Sequence, residues 1–332
     1  MDSEATLGAG ASFFSGQAVL VTGGTGFVGS HFVEELLSRG ARIRVPIHRR
    51  ALRVRSDRIE QVAADLTRPE DCLAACANID CVVHAAGVAS AAAITAGNPM
   101  ADITTNLVLT SRMLEAAWTA GVSRFLLLSS STVYPAANWP VREDEAWSAP
   151  PHPSYAGYGW IKRGLERLAE FVASKSSMKI ALVRPTAVYG RHDNFDPVTG
   201  HVVPALVRKA VERRNPYEVW GTGDEIRDFV HVTDVVRGSL LALEKRATCD
   251  PINLGSGRPV AIKDVVGMIL KVLEHDTEVH FDSSKPTTIP VRMVDISKAR
   301  LLLGYEPQVP LEEGLADTIR WFECSLQAHA SL

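Results

Sequence analysis

The sequence predicts an α/β fold: a doubly wound parallel sheet followed by a smaller C-terminal substrate-binding lobe. Three observations carry this expectation. An apolar run, Ala18-Val19-Leu20-Val21, leads through a glycine-rich turn into a segment with helical apolar spacing (Phe32, Val33, Leu36, Leu37). Strand-like and helix-like segments then alternate as far as Pro185. Beyond Pro185 the pattern is irregular, with helices and short strands interleaved up to Phe322. With 332 residues, 46% of them apolar, the chain can bury one large or two modest cores.

In Gly23-x-x-Gly26-x-x-Gly29 each glycine has a physical job. Gly23 makes the tight turn, Gly26 lets a pyrophosphate approach the backbone, and Gly29 lets the helix lie close to the sheet. The turn residue Thr25 and the helix-opening Phe27 and Val28 sit where free N–H groups and a positive dipole end meet phosphates. Such glycines also mark ordinary turns. The strand before and the helix after them favour dinucleotide binding and a Rossmann-type sheet.

Gly40 closes the helix, and Ala41–Ile47 reads as the second strand. An acidic residue at its end would grip the ribose of NAD. The chain instead reads His48-Arg49-Arg50, which suits the 2′-phosphate of NADP, Arg49 foremost; NAD stays open, as does a plain basic surface loop. The third strand, Ile59–Ala63, runs to Asp65-Leu66, placed at the adenine edge, and residues 69–77 read as a helix. The fourth strand, Ile79–His84, runs into Ala85-Ala86-Gly87, small enough for a cofactor to pass close to backbone. Residues 99–120 form a long helix around Asn106, a poor interior residue that should bond to a neighbouring loop. The fifth strand, Phe125–Leu128, ends in Ser129-Ser130-Ser131-Thr132-Val133-Tyr134. After a proline-rich loop (Trp147–Pro153), a helix over 157–174 carries an apolar stripe (Leu165, Leu168, Ala169, Val172), and Ile180–Arg184 is the sixth strand. The expected organisation is a mobile leader (1–16), a dinucleotide-binding domain (17–185) and a lobe over 186–325. Parts of about 225–260, notably Pro251–Leu254, return to the large sheet.

The net charge of −3 gives no hint of nucleic acid or membrane as a partner. Five cysteines form no metal-ligand pattern and read as reduced, mostly buried thiols. No secretory signal and no apolar run of membrane-spanning length stand out, so a cytoplasmic protein is expected.

Tyr158 and Lys162, four apart, share one helix face. A lysine ammonium beside a phenol favours the phenolate. A phenol so tuned can exchange a proton with a carbonyl or alcohol oxygen. Ser130, at a strand end, can give the same oxygen a second hydrogen bond. Tyr-x-x-x-Lys alone is a common accident; here it follows a nucleotide-binding turn and a serine cluster.

From Gln17 to Phe322 the chain resembles the extended short-chain dehydrogenase/reductase superfamily, in its nucleotide-sugar branch. The resemblance rests on the glycine turn, His84-Ala85-Ala86-Gly87, Ser130, Tyr158 and Lys162. It implies that Tyr158 and Lys162 also touch the cofactor, with Pro185 at the end of the sixth strand. The second half is similar to the GDP-L-fucose synthase family. The similar segments are Pro185–Phe195, His201–Leu206, Val219–Gly223, Arg227-Asp228-Phe229 and Phe281–Pro286. By that likeness Arg227 and Arg208 or Lys209 meet a pyrophosphate. Trp220 and Lys285 shape the base and sugar pocket, and Ser131, Thr132, Asn194, His201 and Val203 line the substrate. Trp220 could equally be a core aromatic.

Two departures bear on chemistry. Thr132 stands where that family has its epimerising cysteine, and Ala187 where it usually has asparagine. His192 matches the family histidine, either as a proton donor or as a loop filler. The expected activity is NADPH-dependent reduction of a nucleotide-linked, GDP-favoured 4-keto-6-deoxy sugar, with epimerisation compromised by Thr132. An NAD-dependent 4-epimerase uses the same residues and remains the alternative. A 4,6-dehydratase lacks its acid–base pair beside Ser130, and a non-catalytic cofactor sensor usually loses the tyrosine or lysine retained here. A homodimer built on the helices at 99–120 and 157–174 is implied by the resemblance, although the apolar stripe also suits an internal core.

Overall fold

The computed structural model describes residues 12–88, 100–197, 199–285 and 287–330. Its main sheet has seven parallel strands: β1 (Ala18–Thr22), β2 (Arg42–Ile47), β3 (Ile59–Ala63), β4 (Cys81–His84), β5 (Arg124–Leu128), β6 (Lys179–Pro185) and β10 (Ile252–Leu254). Their order is β10-β6-β5-β4-β1-β2-β3, so the winding reverses between β1 and β4, and a crevice opens at their carboxyl ends. Helices α1 (Phe27–Ser38), α2 (Pro69–Cys76), α3 (Ala101–Thr119), α4 (Ala156–Lys175) and α6 (Val232–Lys245) flank the sheet.

Strand periodicity splits the central residues between two cores. Val19 and Val21 join Phe32, Val33 and Leu36 on one face. Leu20 joins Met113 and Ala117 on the other. Covering both faces explains why the strands read as continuous apolar runs.

The smaller lobe holds β7 (Ala187–Tyr189), β9 (Ile226–His231), β11 (Pro259–Ala261) and β13 (Val291–Arg292) in a second sheet. A two-stranded sheet pairs β8 (Tyr217–Trp220) with β12 (Val279–Asp282). A third core joins these to α5 (Val202–Val211), α7 (Ile262–Val272) and α9 (Leu311–Ala330), while α8 (Ser297–Leu303) packs on α6. Between the parts, the Thr186 amide donates to the Leu254 carbonyl (3.0 Å). The chain leaving β6 and the chain arriving through β10 therefore run side by side.

The leader differs from its expectation, and the apolar stripe takes one of its two readings. The leader read as 1–16 is anchored at its end: Phe14 is fully buried in the first core and Phe13 packs beside it, while residues 1–11 lie outside the described residues. The α4 stripe is internal, since Leu165 and Ala169 are buried and Leu168 and Val172 pack on the second core. Asn106 behaves as expected: its amide oxygen accepts from Val88 N–H (3.1 Å), and its Nδ2 donates to the Val88 (2.8 Å) and Asp102 (2.6 Å) carbonyls.

Candidate active site

At the crevice, Gly23 has φ +68°, and a Cβ there would lie 2.7 Å from the Ala85 carbonyl oxygen. A Cβ on Gly29 would collide with the Gly23 carbonyl. No acidic residue or side-chain cap blocks the start of α1, so its first-turn N–H groups, at Phe27 and Val28 among others, stay free for an anion. A cradle of this shape, filled by any added Cβ, fits a dinucleotide pyrophosphate. Opposite it, a Cβ on Gly87 would meet Asn106 Oδ1 at 2.7 Å, and Ala85 and Ala86 are half-buried.

A buried hydrogen-bond chain ties the two sides of this cradle together. Thr22 Oγ1 accepts from Ala86 N–H (3.1 Å) and shares a hydrogen bond with His84 Nδ1 (2.9 Å). On its other side, His84 Nε2 shares a hydrogen bond with Thr110 Oγ1 (3.2 Å). Burial, aided by the Lys162 charge, holds His84 neutral, its pKa lowered to about 3.

At the end of β2, His48, Arg49 and Arg50 are exposed, and Arg53 lies beside Arg50. Among the described residues, the segment 48–55 makes one ion pair, His48 with Asp65 (3.9 Å). The Asp65 carboxylate also accepts from the Thr67 N–H and hydroxyl, and Leu66 is buried. The arginines therefore face solvent with no carboxylate partner. Arg53 was not singled out in the sequence; only the arginine density of 49–58 could have pointed to it.

β5 delivers Ser130 into a 3-10 turn (Ser131–Val133), where its Oγ accepts from Thr132 N–H (3.1 Å). Helix α4 abuts that turn at Gly159, where a Cβ would lie 2.5 Å from the Thr132 carbonyl oxygen. Lys162 is buried; its Nζ donates to the Leu128 carbonyl (2.9 Å) and stands 5.5 Å from the centre of the Tyr158 ring. The half-exposed Tyr158 hydroxyl takes no bond among the described residues. Ser131 and Thr132 are buried, and Thr132 Oγ1 has no partner among the described residues. Pro185 ends β6, half-buried.

Beneath this loop lies a buried polar frame that sequence reasoning missed. Arg184 pairs with Glu166 through two bonds (2.9 and 2.6 Å), and Ser129 Oγ donates to the same carboxylate. Arg184 also reaches Tyr134 Oη (3.0 Å), which donates to Asn253 Oδ1 (2.5 Å). Arg163 donates to the Val133 (2.8 Å) and Ala149 (2.7 Å) carbonyls. The serine turn is thus held from below by groups whose own polarity is satisfied.

Across the crevice, β13 runs parallel to β9 and sets Arg292 opposite Arg227. Neither arginine pairs with a carboxylate among the described residues; Arg227 donates to the Ile226 and Pro290 carbonyls (2.9 and 3.4 Å) and to Thr288 Oγ1 (3.4 Å). Burial lowers both guanidinium pKa values, Arg292 to about 10, and for Arg292 the Arg227 charge adds to the effect. Two adjacent cations with no carboxylate partner among the described residues suit an anion. Arg292 escaped notice because it sits on a two-residue strand whose partner is 65 positions away.

Other expected substrate residues scatter. Arg208 bonds to Glu212 (2.7 Å) and the Phe195 carbonyl (3.0 Å), and Lys209 to the Glu218 carbonyl (2.8 Å). These partners take both cations away from a free pyrophosphate role. Asn194 is engaged within its own loop by Thr199 and Asp196, and Val203 is a core residue. Trp220 is exposed, not a core aromatic, and Lys285 is exposed; Pro286 lies outside the described residues. His201 faces Asp193 (3.8 Å), whose carboxylate raises the imidazole pKa.

His192 packs between α1 and α9. It sits at φ +68°, its ring 5.4 Å from His31 on α1 and 4.9 Å from Trp321 on α9, with Glu34 at 4.0 Å. None of these contacts is with Ser130, Thr132 or Tyr158. Burial, with His31, Arg53 and Arg191 nearby, lowers its pKa to about 4, and burial lowers that of His231 to about 4.

These depressed histidines have a pH consequence. Below about 6.5 the unfolded chain protonates them while the folded chain does not, down to about 4 for His192 and His231. Stability therefore rises with pH across that window and falls as pH drops from about 6.5 towards about 4. Urea titrations at pH 7, 6 and 5 should show a falling midpoint. His192→Asn, which tolerates the left-handed backbone, should flatten the slope by up to about one proton per molecule. An unchanged slope would refute the assignment of His192.

Cys72, Cys76, Cys81 and Cys249 are free and buried, and burial raises their thiol pKa values, Cys72 to about 11 and the others to about 12. Among the described residues no cluster could hold a metal ion, and no helix is long and apolar enough to cross a membrane.

Residues 19–255 match the family described as the NAD dependent epimerase/dehydratase family. A dTDP-4-dehydro-6-deoxy-D-allose reductase from a Streptomyces species is 32% identical, covering 93% of this chain and 97% of its own. The GDP-L-fucose synthase of Escherichia coli K12 is also 32% identical, over 93% and 97%. Among solved structures, the Thermotoga maritima UDP-glucose 4-epimerase with UDP-glucose superposes with a TM-score of 0.83 at 28% identity, over 93% of this chain and 100% of that one. The Bacillus cereus UDP-glucuronic acid 4-epimerase, in complex with UDP-glucuronic acid and NAD, gives 0.81 at 26% identity, over 93% and 100%. With its glycine cradle, Ser130, Tyr158 and Lys162 in one crevice, the chain belongs to the NAD dependent epimerase/dehydratase family, within the extended short-chain dehydrogenase/reductase enzymes.

Proposed function

We propose that this enzyme reduces a nucleotide-linked 4-keto-6-deoxyhexose, GDP-linked by preference, using NADPH. The carrying observation is the unpaired Arg227–Arg292 couple on the wall facing the Tyr158–Lys162 helix, suited to a nucleotide diphosphate. Relatives named as a 4-dehydro-6-deoxy sugar reductase and as GDP-L-fucose synthases support the substrate class. When bound, NADPH supplies the hydride. Tyr158 donates the proton to the forming alkoxide, and Ser130 stabilises that oxygen. Lys162, fixed on the Leu128 carbonyl, orients its positive charge towards the Tyr158 ring and the cofactor ribose. Thr132 offers a hydroxyl where epimerisation through a thiolate would need sulfur, and the His192 ring packs on His31 and Trp321, so carbon epimerisation is not part of the reading.

The free arginines after β2 support NADPH over NADH. Replacing Arg49 and Arg50 with glutamate should lower the NADPH/NADH ratio of kcat/KM by roughly 10–100-fold, the worth of one or two charge-assisted bonds. An unchanged ratio would assign the 2′-phosphate elsewhere. A homodimer fits the exposed pairs Leu107/Trp118 on α3 and Trp160/Phe171 on α4, each 11 residues apart and so on one helix face.

The test is incubation in heavy water with NADPH and GDP-4-keto-6-deoxymannose, with the dTDP-linked counterpart in parallel, followed by NMR of the product. NADPH oxidation without ring deuterium is the expected result. Deuterium beside the ketone would mean that epimerisation survives. No NADPH oxidation with either sugar would overturn the reductase reading in favour of an NAD-retaining 4-epimerase, the alternative that the likeness to 4-epimerase structures supports.

A further inference from the structure

We propose that Tyr155 is a positioning residue that holds Arg292 for the substrate diphosphate from the start of the helix carrying Tyr158. The inference rests on the reading above that Arg227 and Arg292 take that diphosphate. Tyr155 is the N-cap of α4, three residues before Tyr158. Its ring centre lies 4.4 Å from the Arg292 guanidinium carbon. Among the described residues, no carboxylate or carbonyl holds Arg292; its guanidinium carbon lies over the Tyr155 ring. A guanidinium stacked on a ring keeps its in-plane N–H donors free for phosphate oxygens.

The same turn reaches the other arginine. Ser154 Oγ donates to the Thr288 carbonyl (2.6 Å), and the Thr288 hydroxyl accepts from Arg227. His152 Nδ1 accepts from Ser154 N–H (3.2 Å), closing the turn. Residues 152–155 therefore key the first turn of α4 onto both cationic strands. Without the ring, Arg292 would sit beside a like charge with nothing to fix its plane. Tyr155 thereby links the grip on the nucleotide to the helix that presents the proton donor.

The test compares the full-length protein with Tyr155→Phe, Tyr155→Leu, Arg292→Lys and the Tyr155→Leu/Arg292→Lys double variant. GDP, dTDP and NADPH affinities are measured by calorimetry, and KM and kcat with the keto sugar. Tyr155→Phe should keep the GDP dissociation constant within about twofold, whereas Tyr155→Leu should raise it about tenfold, near the upper worth of a desolvated cation–π contact. KM should rise with it, while kcat and NADPH affinity stay within about twofold. In the double variant the two losses should fall well short of their product. Wild-type GDP affinity in folded Tyr155→Leu, equal losses of GDP and NADPH, or fully multiplicative losses would overturn the role of Tyr155 alone. Failure of the wild-type protein to bind either nucleoside diphosphate would overturn the arginine reading and this inference with it.

Discussion

Tyr158→Phe is expected to slow keto-sugar reduction by about 10²–10⁴-fold, the usual worth of a positioned general acid. NADPH affinity should stay within about twofold. The hydroxyl is half-exposed, free of a protein partner among the described residues, and carried on a helix wedged against the serine turn. Lys162 cannot substitute for it, because its ammonium is anchored on Leu128 behind the ring. Single-turnover absorbance of NADPH separates the chemical step from product release. A loss smaller than about tenfold would hand the proton to another donor, and Ser130→Ala in the same assay would test the nearest one.

Glu166→Leu is expected to lower unfolding free energy by about 3–5 kcal/mol, the cost of leaving a buried charge without its partner. Both side chains are all but inaccessible, 3% for Glu166 and 2% for Arg184. Arg184 would keep its bonds to Tyr134 and the Glu143 carbonyl but no carboxylate, and Ser129 would lose its acceptor. Urea unfolding measures the loss directly. Adding Arg184→Met should recover part of it, since an apolar pair of similar volume removes the stranded charge. A loss under about 1 kcal/mol would mean that water reaches the pair.

The sheet and its cofactor edge were legible because their determinants are local. A glycine turn between an apolar strand and an apolar-spaced helix fixes its own geometry, and Tyr158, Lys162 and Gly159 share one helix. What stayed hidden depends on register between distant segments. Glu166 reads as one more helix-face charge and Arg184 as a strand residue until β6 and α4 are docked. Arg292 acquires meaning only opposite Arg227. His192 shows the reverse case. Its motif is local, but its ring goes where α1 and α9 leave room, with a left-handed backbone that the motif does not announce.

The side-by-side run of Thr186 and Leu254 also limits what a protease can achieve. The chain leaves the main sheet after β6, returns through α6 and β10, and leaves again into β11 and α7. Cleavage of any one surface loop between residues 190 and 225 would therefore cut a covalent link without freeing a fragment. Both new ends remain stitched to the same second sheet, through β7 on one side and β9 on the other. A nicked enzyme should accordingly run as one particle on a sizing column and as two bands only after denaturation.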